Sequence, residues 1–412
     1  MKNASHRHST NGTGRNARQT ARGGVPSRKQ AIAGTTPGAK AISRTRSSQR
    51  VRYAVVGLGY IAQAAVLPAF AHARNSKLSA LVSDDPDKLR KLARKYGVEH
   101  VYTYDEYDAC LGSGNVDAVY IALPNSMHRE YTERAAAAGV HVLCEKPMAL
   151  REEDCKSMIR HAAEHDVRLM IAYRLHFEAA NLAVIDMVRS GRIGEPRIFN
   201  SLFTMDVKGG DIRLDLALGG GDLYDIGIYC IQAARHIFGE DPIEVLAARS
   251  QREDPRFAEV GEMTSAVLRF PQDQLACFTT SFGAARCSRY EVVGTKGSLL
   301  LEPAYDFADD LELEVTIGAR TQRRTFRKRD QFAAELIAFS EAVRAGAEPE
   351  PSGAEGLRDV RIIRALLRSA EIAKSVHLPL VEPAAGPTPD QEIRRPAVRK
   401  PELVHAESPS GE

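Results

Sequence analysis

The run Gly57-Leu58-Gly59-Tyr60-Ile61-Ala62 restricts the fold of this chain more than any other feature. It fits the pattern G-x-G-x-x-G/A, directly follows an apolar stretch at 52–56, and leads into a helix-like run beginning near Ala62. In that setting each small residue has a physical task. Gly57 permits the tight turn from strand to helix, Gly59 lets the backbone approach a diphosphate, and Ala62 lets the helix pack closely on the strand. The free N–H groups at the helix start, where Tyr60 and Ile61 lie, then face anionic oxygens. A dinucleotide is the ligand expected there.

The rest of the chain agrees with that start. Apolar runs at 52–56, 78–82, 118–123, 141–144 and 169–172 alternate with amphipathic helical patterns at 87–96, 128–138 and 152–165. This predicts an α/β fold opening with a Rossmann doubly wound parallel sheet over 51–174. After Ala172 the grammar changes. A helical pattern at 181–190 is followed by runs at 197–205, 243–248, 264–270, 275–282, 289–293 and 298–301, several parted by hairpin-like breaks such as Pro271-Gln272-Asp273 and Thr295-Lys296-Gly297. A C-terminal α+β domain with a largely antiparallel open sheet is expected over 175–382. Helices at 331–345 and 356–374 close it and could pack on either domain.

Both ends read differently. Residues 1–50 carry eleven Lys or Arg and no acid, while 383–412 hold six prolines with four bases against five acids; neither has the apolar content to offset chain ordering. A disordered basic arm and a disordered tail are expected, the arm either solvated or tethered to an anionic surface or a sister subunit. Setting aside eleven positive charges at one end and one net negative at the other turns the chain's +3 into −7 over 51–382. An acidic body lacks the positive surface that tracks phosphates, so nucleic acid is not an expected partner. No stretch approaches the roughly eighteen apolar residues of a membrane span, and the N-terminus has no apolar signal core, which points to the cytoplasm and away from membranes. The cysteines (Cys110, Cys144, Cys155, Cys230, Cys277, Cys287) have neither zinc-site nor disulfide-framework spacing; they read as reduced thiols, and no metal is expected.

Candidate chemistry gathers where strands end, because ligands of open parallel sheets bind beyond the strands' carboxyl ends. After 118–123 comes Leu123-Pro124-Asn125-Ser126-Met127-His128, where Leu123, Asn125 and His128 are placed to touch cofactor, with helix capping as the other reading for the polar pair. After 141–144 comes Cys144-Glu145-Lys146-Pro147. Partly desolvated beside a nicotinamide, Lys146 would have its pKa lowered toward neutrality and would exchange a proton with a substrate hydroxyl or hold that hydroxyl while hydride leaves, aimed by a cis Pro147. The strand at 78–82 runs into Ser83-Asp84-Asp85-Pro86-Asp87-Lys88. Ser83 with Lys88 would accept a 2′-phosphate and favours NADP; Asp84 on the ribose would favour NAD. In the second domain a glycine-rich lead-in, Gly219-Gly220-Gly221, precedes a helix with Asp225 and Tyr229 four residues apart on one face. That pair can hold two hydroxyls or relay a proton; the blander reading is a helix start capped by Asp222 with Tyr229 half-buried.

The phrases Ala80-Leu81-Val82-Ser83, Leu123-Pro124-Asn125-Ser126, Cys144-Glu145-Lys146-Pro147-Met148-Ala149 and Asp225-Ile226-Gly227-Ile228-Tyr229 together resemble the Gfo/Idh/MocA family over about 51–380, closest in pattern to its glucose-fructose oxidoreductase branch. The resemblance implies a Rossmann domain and a substrate-binding and oligomerisation domain over 175–382, one face of its open sheet serving homo-oligomer contacts, in a dimer or tetramer, and the other bordering the substrate. It implies Lys146 as the catalytic lysine, Asp225 as a substrate-orienting carboxylate, and Tyr229 where many members place histidine. Arg174 and Arg213 match cofactor-side positions, and Ser83 and Lys88 match the branch's NADP-type pattern, from which Asp84 departs. The activity so implied is NAD(P)-dependent hydride transfer to or from a sugar or polyol, with NADP favoured and NAD open. The alternatives are an enzyme that keeps its NADP tightly held, as the branch does beneath an N-terminal arm, and a non-catalytic NADP-binding regulatory protein.

Overall fold

Strand β1 (Val51–Val56) is buried almost throughout, as a strand covered on both faces must be. In the computed structural model, which describes residues 50–250, 253–382 and 386–410, β1 lies inside a parallel sheet. Its companions are β2 (Ser76–Val82), β3 (His100–Tyr102), β4 (Ala118–Ile121), β5 (His141–Glu145) and β6 (Leu169–Ala172), in the order β3-β2-β1-β4-β5-β6. Chain order reverses between β1 and β4, so a crevice opens beyond the carboxyl ends of these two strands. The crossovers carry a π-helical turn (Ala62–Val66) running into α1 (Leu67–Ala69), then α2 (Pro86–Tyr96), α3 (Tyr107–Gly112), α4 (His128–Ala137) and α5 (Glu152–Glu164). Helix α2 has clear sequence-encoded ends: the Asp85 side chain accepts from the N–H groups of Asp87 and Lys88, Pro86 opens the first turn, and Gly97 closes the last at φ 65°. β3 and α3 were not expected; three partly exposed residues at the sheet edge carry no apolar signal for β3.

Beyond α6 (Ala179–Arg189) the second layer begins with β7 (Pro196–Asp206) and α7 (Ile228–Phe238). There follow β8 (Glu244–Ser250), β9 (Met263–Arg269), β10 (Leu275–Ser281), β11 (Gly283–Gly294), β12 (Gly297–Glu302), β13 (Leu311–Ile317) and β14 (Arg320–Phe326). Among the described residues these, with the short β15 (Val376–His377), form one sheet in the order β14-β13-β12-β11-β7-β10-β9-β8-β15. Only the β7–β10 pair in it is parallel, so the expected antiparallel character holds. β13 and β14 were missed. β14 is exposed at every position but Phe326, a polar edge ribbon without an apolar face.

Two last helices resolve which layer each serves. α8 (Gln331–Ala345) covers the parallel sheet: Phe332, Leu336 and Phe339 share a core with Tyr53, Tyr120 and Leu143, and Ser340 Oγ lies 2.7 Å from the Tyr53 hydroxyl. α9 (Gly353–Ile372) reaches both layers. At one end Gly356 lies so close that a Cβ would sit 2.8 Å from Met148 Cβ; at the other, Ser369 Oγ accepts from the Ala247 N–H of β8 at 3.0 Å.

The expected basic arm, apart from Arg50, lies outside the described residues. The expected disordered tail instead has a defined course over 386–410. Arg189 donates to the Pro387 carbonyl at 2.7 Å, the Asp330 N–H to the Arg395 carbonyl at 3.2 Å, and Lys95 Nζ to the Glu402 carbonyl at 3.1 Å. These anchors use the tail's backbone, which every sequence presents alike, so composition gave no sign of them. Among the described residues no helix is long and apolar enough to cross a membrane, and all six cysteines are free thiols.

If α8 is part of the Rossmann core, Phe339→Ala leaves a cavity beneath Tyr53 and costs about 3–5 kcal/mol in urea unfolding followed by circular dichroism. A loss below about 1 kcal/mol would show that α8 is not needed there.

Candidate active site

The crevice depends on a close approach that only glycine allows. Gly57 sits at φ 90°, and a Cβ on it would lie 2.5 Å from the Ala122 carbonyl oxygen. Over Gly59, by contrast, an added Cβ would meet nothing within 4 Å, which leaves the space a diphosphate needs above the helix start. The two glycines therefore do different work, one closing the turn between β1 and β4 and the other keeping its outer side open. A cavity of about 910 Å³ extends from there.

Most residues singled out in the sequence meet in this cavity. Gly59, Tyr60 and Ile61 enter it from the fingerprint turn, Leu123 and Asn125 from the turn after β4, and Glu145 and Lys146 from the end of β5. Arg174 comes from the turn after β6, and Arg213, Asp225 and Tyr229 come from the second layer. Gly57 and the fully buried Ala62 lie behind the fingerprint turn, outside the lining. His128 is fully buried outside it too. Its ring nitrogens lie 2.9 Å from the Pro147 carbonyl and 3.0 Å from that of Leu123, so the imidazole fastens the two strand-end turns together. Burial lowers its pKa against the pull of those carbonyls. Asn125 donates to the Gly219 carbonyl at 2.8 Å and caps nothing.

At the end of β2 the buried Ser83 hydroxyl accepts from the Asp85 N–H at 3.2 Å, and Lys88 follows one helical turn later. Neither lines the cavity. Asp84 accepts from the Tyr104 N–H at 2.9 Å, which commits its carboxylate to the loop after β3.

Charge is concentrated where the layers meet. Lys146 Nζ donates to the Asp225 carbonyl oxygen at 2.7 Å and to its Oδ1 at 3.1 Å, while Arg213 Nε donates to Oδ2 at 2.7 Å. One carboxylate thus lies between two cations. Burial alone would raise the Asp225 pKa, but Arg213 and Lys146 outweigh it and hold the acid well below the usual carboxylate range. For Lys146, burial acts to lower the pKa, and the Asp225 carboxylate, foremost, overcomes it with Glu145 assisting, so the net direction is upward. This corrects the expectation of a lysine drawn toward neutrality: partial desolvation was foreseen, the carboxylate opposite was not weighed against it. The resting group is an ammonium. The Lys146–Pro147 peptide is cis, as anticipated.

Aromatic and glycine residues set the remaining geometry. Tyr229 is flanked by the rings of Phe203 and Tyr305 at 5.7 and 5.9 Å, with Lys146 Nζ and the Arg174 guanidinium each 4.9 Å from its ring centre. Arg174 is itself fixed by Gln331 and the Tyr305 carbonyl. Gly220 lets the Arg213 loop lie against the helix start, since a Cβ there would be 2.4 Å from the Arg213 carbonyl oxygen. Asp222 is no cap. It is buried and accepts from the Thr280 hydroxyl at 2.7 Å, and the turn after it, Leu223–Gly227, is π-helical. Behind Lys146, Glu145 accepts from the Tyr120 hydroxyl at 2.7 Å; burial raises its pKa, with the Lys146 charge opposing. Sequence reasoning missed the cations Lys208, Arg286, Lys328 and Arg329 on the cavity wall, and the tail residues beside them, because no motif or strand end marks those positions.

Residues 51–173 match the family described as oxidoreductase family, NAD-binding Rossmann fold, and residues 181–300 match the GFO/IDH/MocA C-terminal domain. D-xylose 1-dehydrogenase [NADP(+)] of Haloarcula marismortui is 33% identical over 343 residues, 81% of this chain and 95% of the relative. Among solved structures, aldose-aldose oxidoreductase from Caulobacter crescentus complexed with glycerol is similar at TM-score 0.77 and 38% identity, covering 80% of this chain and all of that one. The 3-ketoreductase KijD10 from Actinomadura kijaniata, with NADP and TDP-benzene, has TM-score 0.72 and 30% identity over 78% of this chain and 98% of its own.

Replacing Asp225 with Asn removes the principal charge that keeps the proton on Lys146. The alkaline titration of Lys146, followed by NMR of the side-chain carbon next to Nζ, should move to lower pH in that variant. An unmoved midpoint would show that Asp225 does not control the lysine.

Proposed function

The chain belongs to the Gfo/Idh/MocA family of oxidoreductases, and on that premise we propose that it moves hydride between NADP and a CH–OH or carbonyl carbon of a sugar or polyol. The observation that carries this reading is the Lys146–Asp225–Arg213 cluster on the wall of the cavity that begins at Gly59. A bound nicotinamide supplies the hydride donor or acceptor.

The protein's own residues then have distinct tasks. Gly59, Tyr60 and Ile61 offer the helix start to the diphosphate, while Leu123, Asn125, Glu145 and Arg174 border the cofactor's reactive end. Ser83 and Lys88 stand at the end of β2, beside but not on the cavity wall, as the pair for a 2′-phosphate; Asp84, whose Oδ1 accepts from the Tyr104 N–H, is turned toward the loop after β3, and this supports NADP over NAD. Asp225 takes a sugar hydroxyl once Lys146 turns from it toward the reacting oxygen. In reduction the ammonium gives its proton to the nascent alkoxide, and in oxidation the free amine takes one. Tyr229, fixed by its aromatic neighbours, holds a further hydroxyl or passes the proton on.

The open face of the nine-stranded sheet supports a homo-oligomer. Leu246 opposite Val267 and Leu275 opposite Ile198 are 46, 38, 43 and 42% exposed, and together they make an apolar patch on cross-strand neighbours. Unpaired thiols support a reducing, cytoplasmic setting.

Lys146→Ala should keep NADPH binding, read by nucleotide fluorescence, and lose about 10²–10⁴-fold in kcat; full turnover would remove the lysine from the chemistry. The pKa direction gives a second outcome. Because Lys146 stays protonated past neutrality, kcat/KM for oxidation climbs about tenfold per pH unit through the alkaline range, whereas reduction is level around neutrality. Aldoses, ketoses and polyols assayed with both nucleotides test the rest: turnover with NAD but not NADP would overturn the cofactor assignment, and nucleotide binding without turnover of any of them would favour a regulatory protein.

A further inference from the structure

The described part of the C-terminal segment follows the crevice from one end to the other. It starts over α2, where Lys95 Nζ donates to the Glu402 carbonyl at 3.1 Å. At the fingerprint turn, the buried Gln63 amide holds Val404 in both directions: Nε2 donates to the Val404 carbonyl at 2.9 Å, and Oε1 accepts from the Val404 N–H at 2.7 Å. The same Nε2 donates to the Leu58 carbonyl at 2.8 Å, so the segment is joined to the glycine turn itself. His405 Nδ1 then lies 2.8 Å from Asp85 Oδ2, at the end of β2. Past the cavity, Lys208 secures the far end, its N–H donating to the Pro409 carbonyl and its Nζ to Glu407, both at 3.0 Å.

With the segment in this position the cavity still measures about 910 Å³, near the upper end of the roughly 300–1,000 Å³ typical of small-molecule pockets. The space over Gly59 is open as well. The segment therefore walls the crevice without filling the diphosphate seat. Arg399 and Lys400 lie on that wall, opposite the anionic ligand expected inside.

We propose that residues 398–410 are a strap that completes the dinucleotide site from outside and retains NADP(H) in it between turnovers. The proposal rests on the NADP reading above. A nucleotide lying between the glycine turn and the strap leaves only when the Gln63–Val404 and His405–Asp85 contacts open, so loss of those contacts acts on dissociation more than on association.

The test uses the full-length protein loaded with NADPH and mixed with excess NADP, following nucleotide fluorescence. Full-length protein that binds no NADPH would overturn the NADP reading and this proposal together; every other outcome bears on the strap alone. The double variant Val404→Pro and His405→Ala removes one anchor's N–H and the contact to Asp85, and leaves Gln63 and the fingerprint intact. We expect release about tenfold faster or more, the scale of one or two lost hydrogen bonds, with little change in association. Release at the unaltered rate, or tighter binding because the segment had competed for the seat, would overturn the strap. A second readout needs no engineered residue. NADPH should slow tryptic cleavage after the exposed Arg399, and cleavage indifferent to NADPH would count against the proposal.

Discussion

The site depends on a carboxylate that belongs to two cations. Asp225 reaches Lys146 through both its backbone oxygen and its side chain, and its other oxygen accepts from Arg213. Left unpartnered, a carboxylate largely withdrawn from water as this one is would lose stability or take up a proton. Paired as it is, it joins the end of β5 to the second layer and sets the charge of the lysine. The glycines before it serve the same end: without the close approach at Gly220, the Arg213 loop could not lie beside the helix start.

Legibility in the sequence followed burial. Strands β1, β2, β4, β5 and β6 were readable because helices cover both faces and force continuous apolar runs. β3 at one sheet edge and β14 at the other escaped, since an edge ribbon needs no apolar face. The antiparallel second sheet was legible as a class, from its hairpin breaks, more than strand by strand.

For the site, position on the fold revealed what residue type could not. Lys146 stood out because it ends a strand of a parallel sheet, and the fingerprint because a strand precedes it and a helix follows. The protonation of Lys146 was not legible, because its controlling partner is 79 residues away along the chain and only the folded state brings the two together. His128 shows the converse. A polar residue at a strand-end turn invited a ligand role, and the fold uses it to fasten carbonyls. The tail was missed for a third reason: composition measures what side chains can bury, whereas this segment is held chiefly through its peptide groups.

Helix α9 has a mechanical consequence. Seated by Gly356 against Met148 at the parallel sheet and by Ser369 against Ala247 at β8, it splints the two sheets along one side. A splinted pair cannot gape like jaws about a distant pivot without prying that glycine contact apart.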